Sequence, residues 1–177
     1  MVKLEPKYKN EIYENEVIVK KSRFISKLYF ISSKEEAEKI ILDTKKEYFD
    51  AKHVVFAYRL DNMAKFTDDK EPQGTAGKPI YGILEKENLI NVLIVVIRYF
   101  GGVLLGTGPL TRAYSLAAKE VINKCEFIKH VDYLKEKIEC SYNEEENIKR
   151  KLQKENCIIE SIDRFEKVTI NFLRPLV

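Results

Sequence analysis

Three carboxylates stand within four residues at Asp68, Asp69 and Glu71, inside the segment DDKEPQGTAGKP from Asp68 to Pro79. Oxygen donors this dense are what a magnesium ion requires. The same acids could serve a metal-assisted hydrolase if His53 acted as its general base. Against this, the DxDxDG calcium spacing is missing, and no nucleophile with an orienting acid can be assigned beside His53. A structural or solvated role for the acids, and a satisfied structural role for His53, is the stronger reading.

A second group with chemical potential lies in NVLIVVIRYFGGVLLGTGPLTRAY, Asn91 to Tyr114. Its β-branched run, Val92 to Ile97, reads as a strand buried on both faces, followed by a glycine-rich turn and an amphipathic helix from Leu110. That order presents turn amides and a positive helix end to an anion. Gly101, Gly102, Gly106, Thr107 and Gly108 would supply the concavity. Arg112 would add charge from the first helical turn, while Arg98 and Lys78 would approach from the strand end and the loop. The turn has no GK[ST], and Thr111 stands where GxGxxG requires glycine, which disfavours nucleotide sites of either familiar type. The competing reading is that the glycines only permit positive φ and close packing. Arg98 shares a strand face with Val92, Ile94 and Val96, so it either emerges at the strand end or pairs internally with Asp68, Asp69 or Glu71. Tyr99 and Phe100 could stack on bases or belong to the core.

Elements around these groups must position them. Glu16 to Ile31 is strand-like. Ser33 offers an N-cap, with Glu36 completing a capping box. The helix that follows places Ala37, Ile40, Ile41, Thr44 and Tyr48 on one face, to about Phe49. His53 to Leu60 returns to strand. Asn62 to Pro79 carries neither period, with turn signals at Pro72, Gly74, Gly77 and Pro79, and a loop this long is usually functional. A short helix through Ile80, Ile83 and Leu84 leads to the central strand, and the helix after the glycines runs to about Lys124. From Phe127 a second unit begins: a strand from Val131 to Cys140, a helix from Glu144 to Asn156 capped by Asn143, then strands Cys157 to Asp163 and Lys167 to Leu173.

The totals place these units in an ordinary class. The chain has 177 residues, 45% hydrophobic and 33% charged, with a formal charge of +3 that is too small to announce a nucleic-acid binder. The positive surplus lies in residues 1–124, so any preference for anions belongs there. No apolar run reaches the roughly 20 residues of a membrane helix. Cys125, Cys140 and Cys157 have no CxxC spacing and read as reduced packing residues, which fits a cytoplasmic protein.

Four blocks in order, KKSRFI, HVVFAYRL, DDKEPQGTAGKP and NVLIVVIRYFGGVLLGTGPLTRAY, strongly resemble the IMPACT/YigZ family across about residues 16 to 124. Its signature is the DDxEPxGTAGxP block, which places Asp68, Asp69, Glu71, Pro72, Gly74, Thr75 and Gly77 in the loop, together with RYFGG. The resemblance implies a two-domain α/β (α+β) protein. Residues 1–126 would share the fold of the second domain of small-subunit ribosomal protein five. Residues 127–177 would form a ferredoxin-like domain resembling domain five of elongation factor G, here an incomplete βαββ rather than βαββαβ. It also implies a link to translation, since eukaryotic members bind a co-activator of the starvation-responsive kinase. It supplies no catalytic residue set, no metal and no cofactor. Together these observations favour a non-enzymatic cytoplasmic protein that binds RNA or the ribosome through its first domain. The alternatives are the hydrolase on His53 and the loop acids, and a protein-binding regulator in translation control. No membrane partner is expected, and the oligomeric state is open.

Overall fold

The computed structural model describes residues 2–176. Its contacts divide the chain into Met1–Lys129 and His130–Val177. The first unit opens with β1 (Leu4–Pro6), β2 (Ile12–Val19) and β3 (Ser22–Phe30), followed by helix α1 (Lys34–Glu47). Then come β4 (His53–Arg59), β5 (Ala64–Thr67), α2 (Gly77–Lys86), β6 (Val92–Tyr99), α3 (Thr107–Ile122) and β7 (Phe127–Lys129).

Five strands form one antiparallel sheet in the order β2-β3-β6-β4-β5. β6 lies at its centre, as the β-branched run requires. Successive side chains alternate faces, so Val92, Ile94 and Val96 pack with Leu84 of α2 and Ala113, Ala117 and Val121 of α3. Leu93, Val95 and Ile97 pack on the opposite face with Ala37 and Ile41 of α1. The sheet is thus covered on both sides, which explains why β6 is apolar throughout rather than alternating.

Several local expectations are refined. Glu16 to Ile31 is not one strand but a hairpin turning at Lys20 and Lys21, whose φ values are +45° and +67°. Two positive φ angles match the right-handed twist of the flanking strands, but two lysines give no sequence signal for them. The long loop contains β5, paired antiparallel with β4. Phe127–Lys129 pairs with Leu4–Pro6 and so lies in the first unit. The helix expected from Leu110 already begins at Thr107.

Ser33 caps α1 by accepting from the Glu36 amide at 3.2 Å, but the Glu36 carboxylate returns to Ser32, accepting from its amide at 2.8 Å. The reciprocal bond therefore lands one residue before the cap. Ser33→Ala should cost about 1 kcal/mol, visible as a lower urea midpoint, whereas Ser32→Ala retains the backbone donor and should cost less.

The second unit contains β8 (Tyr133–Cys140), α4 (Glu145–Lys154), β9 (Ile158–Arg164) and β10 (Val168–Pro175). Its strand order is β8-β10-β9, antiparallel throughout. This is the order of the first three strands of a split βαβ, ferredoxin-like unit. Val168, Ile170 and Phe172 face Leu152 and Ile148 of α4 in its core. Asn143 does not cap α4; Glu144 occupies that position, and its carboxylate instead accepts from the amide and hydroxyl of Ser141. Hydrogen bonds from Arg164 and Lys149 hold the Glu145 carboxyl down to about 2, tying α4 to the end of β9. No helix among the described residues is long and apolar enough to cross a membrane.

Candidate functional site

The loop acids do not converge on a shared point. Asp68 is a scaffold residue: one oxygen accepts from the Gly74 amide at 2.7 Å, and the other from Ala76 and Gly77 at 3.0 and 2.9 Å. The N-cap of α2, Ala76, has no capping side chain of its own. A carboxylate from eight residues upstream therefore satisfies the orphan amides and opposes the helix dipole. Asp69 accepts from the Val54 amide at 2.7 Å, and its carbonyl meets His53 Nδ1 at 2.7 Å. Thr75 closes the loop by donating to the Pro72 carbonyl at 2.6 Å. Among the described residues, no group of three or more His, Cys, Asp or Glu side chains is placed to hold a metal ion. The hydrolase reading requires these oxygens to be available, but Asp68 spends both on backbone amides and Asp69 spends one, its other oxygen lying 3.7 Å from Lys45 Nζ.

Glu71 faces inward and is the acid that Arg98 finds. Its Oε1 lies 2.6 Å from Arg98 Nη1 and accepts from the Tyr114 hydroxyl at 2.7 Å. Both charged residues are buried, at 8% and 5% exposure. Burial, then the adjacent Glu71 carboxylate, pushes the Tyr114 hydroxyl far above its ordinary value, so it remains a neutral donor. The Arg98 guanidinium carbon also lies 5.5 Å from the Phe24 ring centroid and 5.9 Å from that of Phe100. Of the alternatives open for Arg98, the internal pair is the one observed. Its Nε is buried without a hydrogen-bond partner.

Beside this pair is a cavity of about 400 Å³. Lys52, His53, Glu71 and Pro72 form one part of its lining, with Arg98 and Phe100 at the end of β6. Leu104, Leu105, Gly106, Thr107 and Leu110 complete it. Both signature blocks, the acid loop and the glycine turn, therefore border a single concavity. His53 Nδ1 donates to the Asp69 carbonyl, and Nε2 lies 3.6 Å from Glu71 Oε1.

The glycines divide by task. Gly101 gives its amide to Ser22 Oγ at 3.2 Å, so that donor is already spent. Gly106 is the N-cap of α3 at φ 77° and ψ 163°, a region essentially reserved for glycine. With no side-chain cap and no acid in the first turn, α3 presents uncompensated amides at Thr107 and Gly108. Gly102 is exposed and turns at φ 82°. Lys78 and Arg112 are exposed and stand outside the cavity lining. Arg112 Nη1 lies 3.7 Å from where a Gly108 Cβ would stand, alongside the first turn of α3.

Sequence reasoning missed Tyr114 and Lys52. Tyr114 sits four residues after Leu110 on the inward helical face, and a buried tyrosine hydroxyl calls for a partner, so a signal was present. Lys52 had none. Cys125, with its thiol pushed up to about 11 chiefly by burial, is a packing residue in the first core.

Residues 20–122 match the family model of the Impact N-terminal domain, spanning both blocks that border the cavity. The chain is 42% identical over 116 residues to the IMPACT family member YvyE of Bacillus subtilis, covering 64% of this chain and 54% of that protein. It is 32% identical over 131 residues to the IMPACT family member YigZ of Escherichia coli, covering 71% and 64% respectively. The chain thus spans between half and two-thirds of the length of these relatives. A crystal structure of a hypothetical protein shares the fold at TM-score 0.72 and 29% identity, covering 99% of this chain and 86% of that one. With the matched segment running from the β3 hairpin through the whole of α3, the chain belongs to the IMPACT family.

Proposed function

We propose that the first unit is a non-enzymatic RNA-binding module that works in the cytoplasm on the ribosome or its RNA. The observation that carries this reading is the pairing, in one cavity, of an uncapped α3 N-terminus with the cationic side chains of Lys52 and Arg98. Helix amides and a guanidinium are the donors that phosphate oxygens accept from. Phe100, 45% exposed at the cavity, provides a face for base stacking. Membership of a family linked to translation supplies the context.

Lys78 and Arg112 then act as outer phosphate contacts. If both touch single-stranded RNA, the double variant Lys78→Ala/Arg112→Ala should flatten the slope of log affinity against log salt by about 1.4. Fluorescence anisotropy across a salt series reads that slope, and because both side chains are exposed the melting temperature should hold. An unchanged slope would remove this surface from the interface.

The protein-binding alternative has one observation in its favour. Val103 and Leu104 are 43% and 86% exposed at the turn, an apolar tip suited to a protein partner. That mode would leave affinity for a partner nearly independent of salt.

A further inference from the structure

We infer that the hairpin tip Lys20–Lys21 is a further RNA contact, holding the phosphates of a single strand that runs across the end of β6 towards Lys52. The inference rests on the RNA-binding reading and adds the path the strand takes over the sheet.

The turn itself is the first argument. Val19 pairs with Ser22, so Lys20 and Lys21 are the central residues of a two-residue hairpin loop. Their φ angles are +45° and +67°. A loop of this kind needs left-handed backbone at both positions, and Asn-Gly is the pair that supplies it most readily. Lysine has neither the missing Cβ of glycine nor the short polar side chain of asparagine. The tip is therefore built from residues that its own backbone disfavours, and such strain gathers where side chains serve a ligand. What two lysines bring that Asn-Gly lacks is charge.

That charge is uncompensated. The next cations along β3 are taken: Arg23 lies 2.8 Å from Glu16, and Lys27 lies 3.3 Å from Glu47 and 3.5 Å from Glu14. Lys20 and Lys21 are exposed and have no ion-pair partner among the described residues. The same holds for Lys52, which borders the cavity.

Position is the third argument. The tip is locked to the glycine turn, for the Gly101 amide donates to Ser22 Oγ at 3.2 Å and the Lys21 carbonyl carbon sits 2.1 Å from where a Gly101 Cβ would stand. On the other side of β6, the Lys52 amide donates to the Arg98 carbonyl at 3.0 Å. β3 and β4 flank β6, each at a strand spacing of about 4.8 Å. Phe100, 45% exposed, leaves the sheet between them. Cations on either side of an exposed aromatic ring suit one strand, with phosphates on the ammonium groups and a base on the ring. A duplex keeps its bases stacked on one another and offers no free base to that ring.

The test measures anisotropy of a short labelled single-stranded RNA with the full chain across a salt series. Lys20→Asn/Lys21→Gly installs the favoured turn and removes both charges. Its melting temperature should hold or rise, while the slope of log affinity against log salt flattens by about 1.4, two contacts at about 0.7 each. Lys20→Arg/Lys21→Arg keeps the charge on the same backbone and should keep the wild-type slope. Lys39→Ala/Lys86→Ala removes equal charge from exposed positions on α1 and α2 and should also keep it. An unchanged slope in the Asn-Gly variant would make the tip a turn only and overturn the inference, with RNA binding left standing. Equal flattening by the Lys39/Lys86 pair would overturn the location, and a flattened slope in the arginine variant would overturn the role of charge. Wild-type protein that binds no RNA at any salt would overturn the RNA-binding reading itself.

Discussion

Glu71→Ala should destabilise the first unit by about 3–5 kcal/mol, because it strands a buried guanidinium without its counter-charge. Arg98 is 5% exposed and its Nη1 bond to Glu71 is 2.6 Å, so no other carboxylate among the described residues compensates the guanidinium once Glu71 is removed. The Tyr114 hydroxyl loses its acceptor in the same step. Tyr114→Phe removes only that second bond and should cost about 1 kcal/mol. Denaturant melts of the three proteins separate the contributions. A Glu71→Gln/Arg98→Met pair should recover much of the loss, since replacing both members of a buried pair spares the unpaired charge. If Glu71→Ala unfolded at the wild-type midpoint, the pair would be exposed in solution and the cavity's electrostatics would differ from those described.

Gly101→Ala carries the second large effect. A Cβ there would stand 2.1 Å from the carbonyl carbon of Lys21 and 2.3 Å from the Ser22 amide nitrogen, both backbone atoms that no rotamer change can move. The hairpin turn at Lys20–Lys21 presses directly against the glycine turn, and only a missing side chain permits it. A loss of at least about 3 kcal/mol follows, the upper end of what overpacking costs. Gly102→Ala meets open space but must hold φ at 82°, a left-handed cost of about 1–2 kcal/mol. Gly82 is exposed within α2 with open space and no positive φ, so alanine there should stabilise by roughly 1 kcal/mol. The ordering Gly82 above wild type, then Gly102, then Gly101, is readable from melting temperatures alone.

Much of this arrangement was legible in the residues because it is carried by short-range periodicity. The apolar run at Val92–Ile97 announces a strand covered on both faces, and Val168, Ile170 and Phe172 alternate as their burial requires. The acid loop and the glycine turn both line the cavity, through Glu71 and Pro72 and through Gly106 and Thr107. What escaped is set by contacts distant in sequence or by backbone angles without a residue signature. The three-residue strands Leu4–Pro6 and Phe127–Lys129 pair with each other across more than a hundred residues. The Lys20–Lys21 turn uses positive φ without glycine or asparagine. Three acids were candidates for Arg98, and composition cannot choose among them. The choice falls to Glu71 because Asp68 is consumed by the start of α2 and Asp69 by the edge of β4.

The glycine turn shows the same limit in a functional residue. Gly101 and Gly106 look equivalent in the sequence as anion donors, yet Ser22 takes the amide of one while the other caps a helix end left open. The open amides are therefore fewer than the glycine run suggests, and lie at the first turn of α3.

Sedimentation of the full chain with ribosomes through a salt series tests the central claim most directly. RNA binding at the α3 cavity predicts co-sedimentation at low salt that falls steadily as salt rises, because phosphate contacts release counterions. The Lys78→Ala/Arg112→Ala variant should fall less steeply. Protein that stays in the supernatant at every salt concentration, while folded by its melting temperature, would contradict it.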